Sequence, residues 1–118
     1  MTFEDVIAFI NCLNHPALLT TERGMFVHAN KNYKDDFHGG TSDENVIDKM
    51  INNSSHPLLK ANAMYCKYIE GLFLENKKTL VSKELFFYES YLTLRSLIRI
   101  GKSNYTLLII VNNSPLID

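Results

Sequence analysis

Asn14-His15-Pro16-Ala17-Leu18-Leu19-Thr20-Thr21-Glu22-Arg23-Gly24-Met25-Phe26-Val27-His28-Ala29-Asn30 decides how the rest of the chain is read. Pro16 disfavours helical backbone at His15, so whatever helix precedes it ends there. Ala17 to Thr21 is then a short apolar strand and Met25 to Ala29 a second one. Between them Glu22-Arg23-Gly24 forms a tight turn, with glycine where a positive φ is needed. The two strands make a hairpin. Asn30 caps a short helix over Lys31 to Phe37, in which Tyr33 and Phe37 lie one turn apart.

Before the hairpin, Thr2 to Leu13 reads as an amphipathic helix. Phe3, Val6, Ile7, Ile10 and Leu13 share one face. Thr2 serves as N-cap, and Glu4 and Asp5 suit the positive end of the helix dipole. After it come a Gly39-Gly40 loop, a helical face of Val46, Ile47, Met50 and Ile51, and a longer helix from Pro57 to about Phe73. The expected apolar stripe of that helix is Leu58, Ala61, Tyr65, Ile69, Leu72 and Phe73. From Thr79 the period becomes alternating. Thr79 to Phe87, Ser90 to Ile100 and Tyr105 to Val111 form an antiparallel meander, with Gly101-Lys102-Ser103-Asn104 as the last turn. The sum is an α+β domain with five antiparallel strands and central helices on one face.

A chain of 118 residues fits one domain with a single core. Residues 1–14 are the leading helix, 17–112 the core, and 113–118 the start of a linker. Hydrophobic residues make up 46% and charged residues 21%, an ordinary globular balance. With 12 basic and 13 acidic residues the net charge is −1, which gives no excess of cations to grip phosphates. These residues are therefore not expected to bind DNA themselves. Cys12 and Cys66 lie in no C-x-x-C and read as free thiols of a reducing compartment. The acidic start carries no export signal and no apolar run spans a bilayer, so the expected location is the cytoplasm.

The hairpin with its acidic-glycine turn and following Asn30, together with Leu80 to Phe87, Tyr91 to Ile100 and Tyr105 to Val111, resembles the PAS fold. Asn14-His15-Pro16-Ala17 and the Tyr33…Phe37 spacing look most like the N-terminal PAS-like domains of enterobacterial regulators, among them activators of plasmid conjugative transfer. That resemblance implies a sensing and dimerisation domain of a transcription regulator. It also implies a homodimer, with DNA bound by a helix-turn-helix beyond residue 118. Regulatory proteins are further possible partners.

Both faces of the C-terminal strands are apolar, so the sheet needs two covers. The leading helix supplies one, by packing on its own sheet or by building a dimer through Phe3, Val6, Ile7, Ile10 and Leu13. Dimer contact is the reading adopted. Between the sheet and the central helices, Phe26, Tyr33, Phe37, Met50, Tyr65, Phe86 and Tyr91 would line a pocket or fill it. Filling is favoured, and with it protein–protein signalling over ligand sensing.

Signals for chemistry are weak. The four histidines show no metal-ligand spacing, and Asp35-Asp36-x-His38 reads as a surface loop. His56 is the sole candidate haem ligand, and the flavin-attachment motif of photoactive PAS domains is absent. Cys66 reads as a small buried hydrophobe, and with His56 forms no nucleophile–base pair. Gly39-Gly40 has no phosphate-loop context. No enzyme and no cofactor are expected. Arg95, Arg99 and Lys102 read as solvated charges protecting a sheet edge.

Overall fold

The computed structural model describes residues 2–37, 57–86 and 89–112. Helix α1 (Phe3–Cys12) starts at Thr2, whose Oγ1 accepts from the Asp5 amide while the Asp5 carboxylate accepts from the Thr2 amide. This reciprocal box satisfies two donors that the first turn would leave orphaned. Strands β1 (Ala17–Thr21) and β2 (Phe26–Ala29) form the hairpin, with a register shift between Leu19 and Thr20. Its turn is tied by Thr21, whose hydroxyl accepts from the amides of Arg23 and Met25, and Gly24 takes φ 78°. Helix α2 (Lys31–Phe37) follows Asn30 directly.

Helix α3 (Pro57–Asn76) ends at Lys77, which holds φ 55° and donates its amide to the Phe73 carbonyl at 2.7 Å. That is a left-handed cap on a residue other than glycine. Strands β3 (Leu80–Phe86), β4 (Glu89–Ile100) and β5 (Ser103–Asn112) form the meander. The last turn is shorter than expected: only Gly101 and Lys102 lie between the strands, and Ile100 pairs with Ser103. Gly101, at φ 62°, occupies the first central position, where a type II′ hairpin places glycine. The expected helical face with Val46, Ile47, Met50 and Ile51, the Gly39-Gly40 loop, His56 and the linker at 113–118 lie outside the described residues.

The sheet order is β2-β1-β5-β4-β3, antiparallel throughout, so β1 and β5 join the N-terminal hairpin to the meander. Registers fix two faces. Leu18, Ala29, Leu108, Ile110 and Tyr91 share the inner face with Tyr33 of α2 and Cys66 of α3. Ala17, Leu19, Leu107, Ile109, Tyr105 and Ile98 share the outer face, closed by Val6 and Ile10 of α1. Each face buries apolar surface at roughly 25 cal/mol per Å², and neither would be stable left bare.

Candidate functional site

The inner face is apolar at its β1–β2 side and charged where α3 crosses β3 and β4. Strand alternation brings Ser82 and Glu84 of β3 beside Thr93 and Arg95 of β4, since Ser82 pairs with Thr93 and Leu80 with Arg95. Arg95 donates from Nη1 and Nη2 to the two oxygens of Glu84, at 2.8 and 3.1 Å. Its Nε donates to Glu70 of α3 at 3.1 Å. Thr93 Oγ1 donates to Glu84, and Ser82 Oγ donates to the same carboxylate at 2.9 Å. The Arg95 and Glu84 side chains are 2% and 0% exposed, and Glu70 is 13% exposed.

Such a cluster is tolerated in a core only because each charge is paired and hydrogen-bonded. Burial alone would raise the Glu84 carboxyl, but the Arg95 fork more than reverses this and holds it below its ordinary value. Burial likewise disfavours the Arg95 cation, and Glu84 and Glu70 more than restore it. Burial, followed by the Glu84 charge, pushes the Cys66 thiol up, so it stays protonated as a weak donor to Glu84. A protonated, buried thiol is a poor nucleophile. The arrangement stores charge and fixes α3 against two strands. Among the described residues no group of three or more His, Cys, Asp or Glu is placed to hold a metal ion.

The expectation for Arg95 is corrected here. β4 is not an edge strand, and Arg95 points inward under α3; Arg99, four residues on, is exposed and donates to the Gly101 carbonyl. Glu70, Ser82, Glu84 and Thr93 were not singled out in the sequence. The available signal was their alternation: Ser82 and Glu84 face Thr93 and Arg95 in strands whose other residues are mostly apolar.

Of the expected pocket residues, Phe26, Tyr33 and Tyr91 meet in the inner core. Tyr65 does not: it is 47% exposed, because the buried stripe of α3 runs through Ala63, Cys66, Ile69 and Phe73. Ala61 is exposed for the same reason. The backbones of Phe37 and Phe86 close α2 and β3, while their side chains, and the whole of Met50, lie outside the described residues.

On the outer face, Val6 and Ile10 are sealed by the chain's own sheet and have no surface left for a partner. The expected dimer set is corrected to that extent. Leu13 packs half-buried on the same cluster, Phe3 meets Tyr105 edge-on with ring centres 6.2 Å apart, and Ile7 is half-buried. Outward of them stands Phe9, 53% exposed. Val81 of β3, 58% exposed, points to the same side of the sheet, opposite half-buried Leu94.

A groove of about 190 Å³ lies between the β1–β2 turn and α3, lined by Glu22, Arg23, Gly24, Lys67, Glu70 and Leu74. Glu70 belongs to both the groove and the buried cluster. No helix among the described residues is long and apolar enough to cross a membrane.

No protein-family model and no curated protein sequence matches this chain. Solved structures do. The PAS domain of Bordetella pertussis BvgS aligns over 92% of this chain and 84% of its own, with TM-score 0.66 and 8% identity. A PAS domain from Desulfitobacterium hafniense aligns over 89% and 98%, with TM-score 0.57 and 12% identity. A domain of an HTR-like protein from Haloarcula marismortui aligns over 82% and 95%, with TM-score 0.56 and 14% identity. At these identities the likeness is one of fold: the chain has the PAS fold, as its sequence resemblance implied.

Proposed function

We propose that this chain is a non-catalytic regulatory domain that assembles as a homodimer through its outer side, and that it belongs to a cytoplasmic bacterial transcription activator. One observation carries the assembly reading. With α1 docked, Phe9 and Val81 remain more than half exposed on the outer side, and Ile7, Leu92 and Leu94 are only half-buried. Apolar surface gathered on one side of a small domain marks an interaction site. The charge balance supports leaving DNA contact to another part of the polypeptide. The Asn14-His15-Pro16-Ala17 start and the Tyr33…Phe37 spacing resemble those of the conjugative-transfer activator TraJ, and that resemblance is the support for a helix-turn-helix after residue 118 and a role in plasmid transfer. Dimerisation would then set the spacing of two DNA-binding modules on their half-sites.

Sedimentation velocity across a concentration series tests assembly. A reversible dimer is expected, weakened tenfold or more by Phe9→Asp with the fold intact. A chain that stays monomeric at every concentration overturns it. In the full-length regulator the same substitution should lower promoter activation, and unchanged activation removes the link from assembly to output.

A second reading, a small-molecule sensor, is favoured by the groove. Glu70 there connects an open, charged surface to the buried Arg95. Native mass spectrometry of freshly purified protein decides it: a co-purifying species supports the sensor, and repeated empty spectra oppose it.

A further inference from the structure

Asn30 sits between the two faces of the sheet and is 2% exposed. Its side chain uses its whole hydrogen-bonding capacity. Oδ1 accepts from the Ala17 amide at 3.1 Å and from the Tyr33 amide at 3.0 Å. Nδ2 donates to the Ile10 carbonyl at 3.1 Å and to the His15 carbonyl at 2.8 Å. The orientation of the amide is settled by its neighbours, because backbone N–H groups cannot accept and carbonyls cannot donate. Two residues on, Asn32 donates from Nδ2 to the Asn14 carbonyl at 2.9 Å. Three carbonyls at the end of α1 and in the segment after it therefore receive donors from the start of α2.

The placement of the two helices gives this brace its meaning. α1 covers the outer face, where Ile10 is fully buried, while α2 covers the inner face through Tyr33. The sheet separates their side chains, and the brace passes around the end of β1, where Asn30 also donates its own amide to the Ala17 carbonyl at 3.1 Å. Tyr33 is held in the inner core by the same Asn30 oxygen that caps its helix. Turning or lifting the first turn of α2 moves Asn30 and strains the bonds to Ile10 and His15. Aspartate lacks the two donors, and glutamine adds a methylene to a buried side chain whose four hydrogen bonds are already made.

We propose that Asn30, assisted by Asn32, couples α2 on the inner face to α1 on the outer face, so that a change in the central helices alters how firmly α1 is docked. Its role in signalling rests on the assembly reading above; the coupling itself does not. His28 adds an anchor on the outer side, its Nε2 lying 2.8 Å from Asn11 Oδ1. Burial and then the Lys34 charge lower its affinity for a proton. That bond survives either charge state, since Nε2 can carry a hydrogen in both.

Amide hydrogen exchange tests the coupling without disturbing the brace. Asp35 is an exposed residue of α2, so Asp35→Gly loosens that helix with little effect elsewhere. Amides of residues 34–37 should exchange about twofold faster, since glycine stands only slightly below aspartate in helix propensity and the exposed Lys31–Asp35 pair is lost with it. Amides of residues 6–13 in α1 should accelerate with them, while those of 92–98 in β4 stay unchanged. In an Asn32→Ala background, and more fully in Asn30→Asp, the response of α1 to Asp35→Gly should shrink. If α1 keeps its protection while α2 loosens, or if every segment accelerates equally, the coupling is overturned. Should Asn30→Asp fail to fold, the Asp35→Gly comparison decides alone. A chain that never self-associates but whose α1 follows α2 sinks the assembly reading and supports the coupling.

Discussion

The two faces of this sheet are built from alternate residues of the same strands, yet they are closed in different ways. On the outer face, Leu19, Leu107, Ile109 and Ile98 meet Val6 and Ile10 of α1 through apolar side chains, and the polar ties of α1 to Asn30 and His28 lie only at its C-terminal end. On the inner face, Leu18, Ile110 and Tyr91 pack with Tyr33 and Cys66, but the neighbouring ground on β3 and β4 holds Glu84, Thr93 and Arg95 under α3. Apolar burial is non-directional, so the outer helix can slide or fray without leaving a charge stranded. A paired buried charge is directional, and α3 cannot shift far without breaking the Glu70–Arg95 bond. The inner face is thus the rigid registration of the fold. The outer face is the more adjustable one.

Removing one charge from the inner cluster is the strongest way to expose this difference. Glu84→Leu leaves Arg95 with Glu70 as its remaining carboxylate partner, and breaking a buried pair typically costs about 3–5 kcal/mol. Glu84→Leu/Arg95→Leu removes the charged pair itself and should recover most of that loss, since an apolar replacement of similar volume is often near neutral. Urea unfolding measures both. The pair also leaves a mark on the acid side. Glu84 titrates below its ordinary value when folded, so its stabilisation is full above the unfolded value of about 4.3 and fades as pH falls through the folded one. Urea midpoints between pH 7 and pH 3 should fall more steeply for the parent chain than for the double variant. Equal slopes would show that the pair is not the inner face's acid-sensitive element.

The outer face should respond on a smaller and different scale. The Ile10 side chain is fully buried in apolar contacts, and a side-chain change leaves its Asn30-bound carbonyl in place. Ile10→Ala removes its methylenes and opens a cavity, at about 2–4 kcal/mol with no dependence on pH between 3 and 7. A pH-dependent loss would mean that α1 is held by charge and would erase the contrast between the faces. Ile10→Asp is expected to unfold the domain outright; a folded monomer is not the expected result, because the side chain has no solvent to reach.

The contrast also explains what could be read before the structure. Pro16, Gly24 and Asn30 punctuate the first hairpin with conformations few other residues accept, so both strands fell within a residue of their expected ends. The outer face was legible because Val6, Ile10, Leu19 and Leu107 follow simple periods. Gly101-Lys102-Ser103-Asn104 misled by its composition: Ser103 and Asn104 are turn-prone residues that β4 recruits into a strand through cross-strand bonds. Tyr65 misled by its size, since α3 buries the smaller Ala63 and Cys66 instead. Arg95 was the largest miss. Its partners lie 11 and 25 residues away, and only the register of β3 on β4 and the crossing of α3 bring them to it. An ionisable residue in a strand is solvated in the absence of such partners, and a linear reading does not supply them.

The smallest expected effect concerns what holds α1 in place. Thr2 and Asp5 exchange two hydrogen bonds at 3.1 and 3.2 Å, both in solvent. Thr2→Ala deletes the side-chain acceptor and should cost about 1 kcal/mol, as N-cap losses do. The loss should appear as faster exchange at residues 5 and 6, with amides 107–110 in β5 unchanged, because the cap stabilises the first turn and the packing of Val6 and Ile10 stabilises the rest. Thr2→Ala must therefore cost less than Ile10→Ala. If the two losses proved equal, α1 would be a helix held by its own ends and merely leaning on the sheet, and the outer face could not be the apolar, adjustable partner of a rigid, charged inner face.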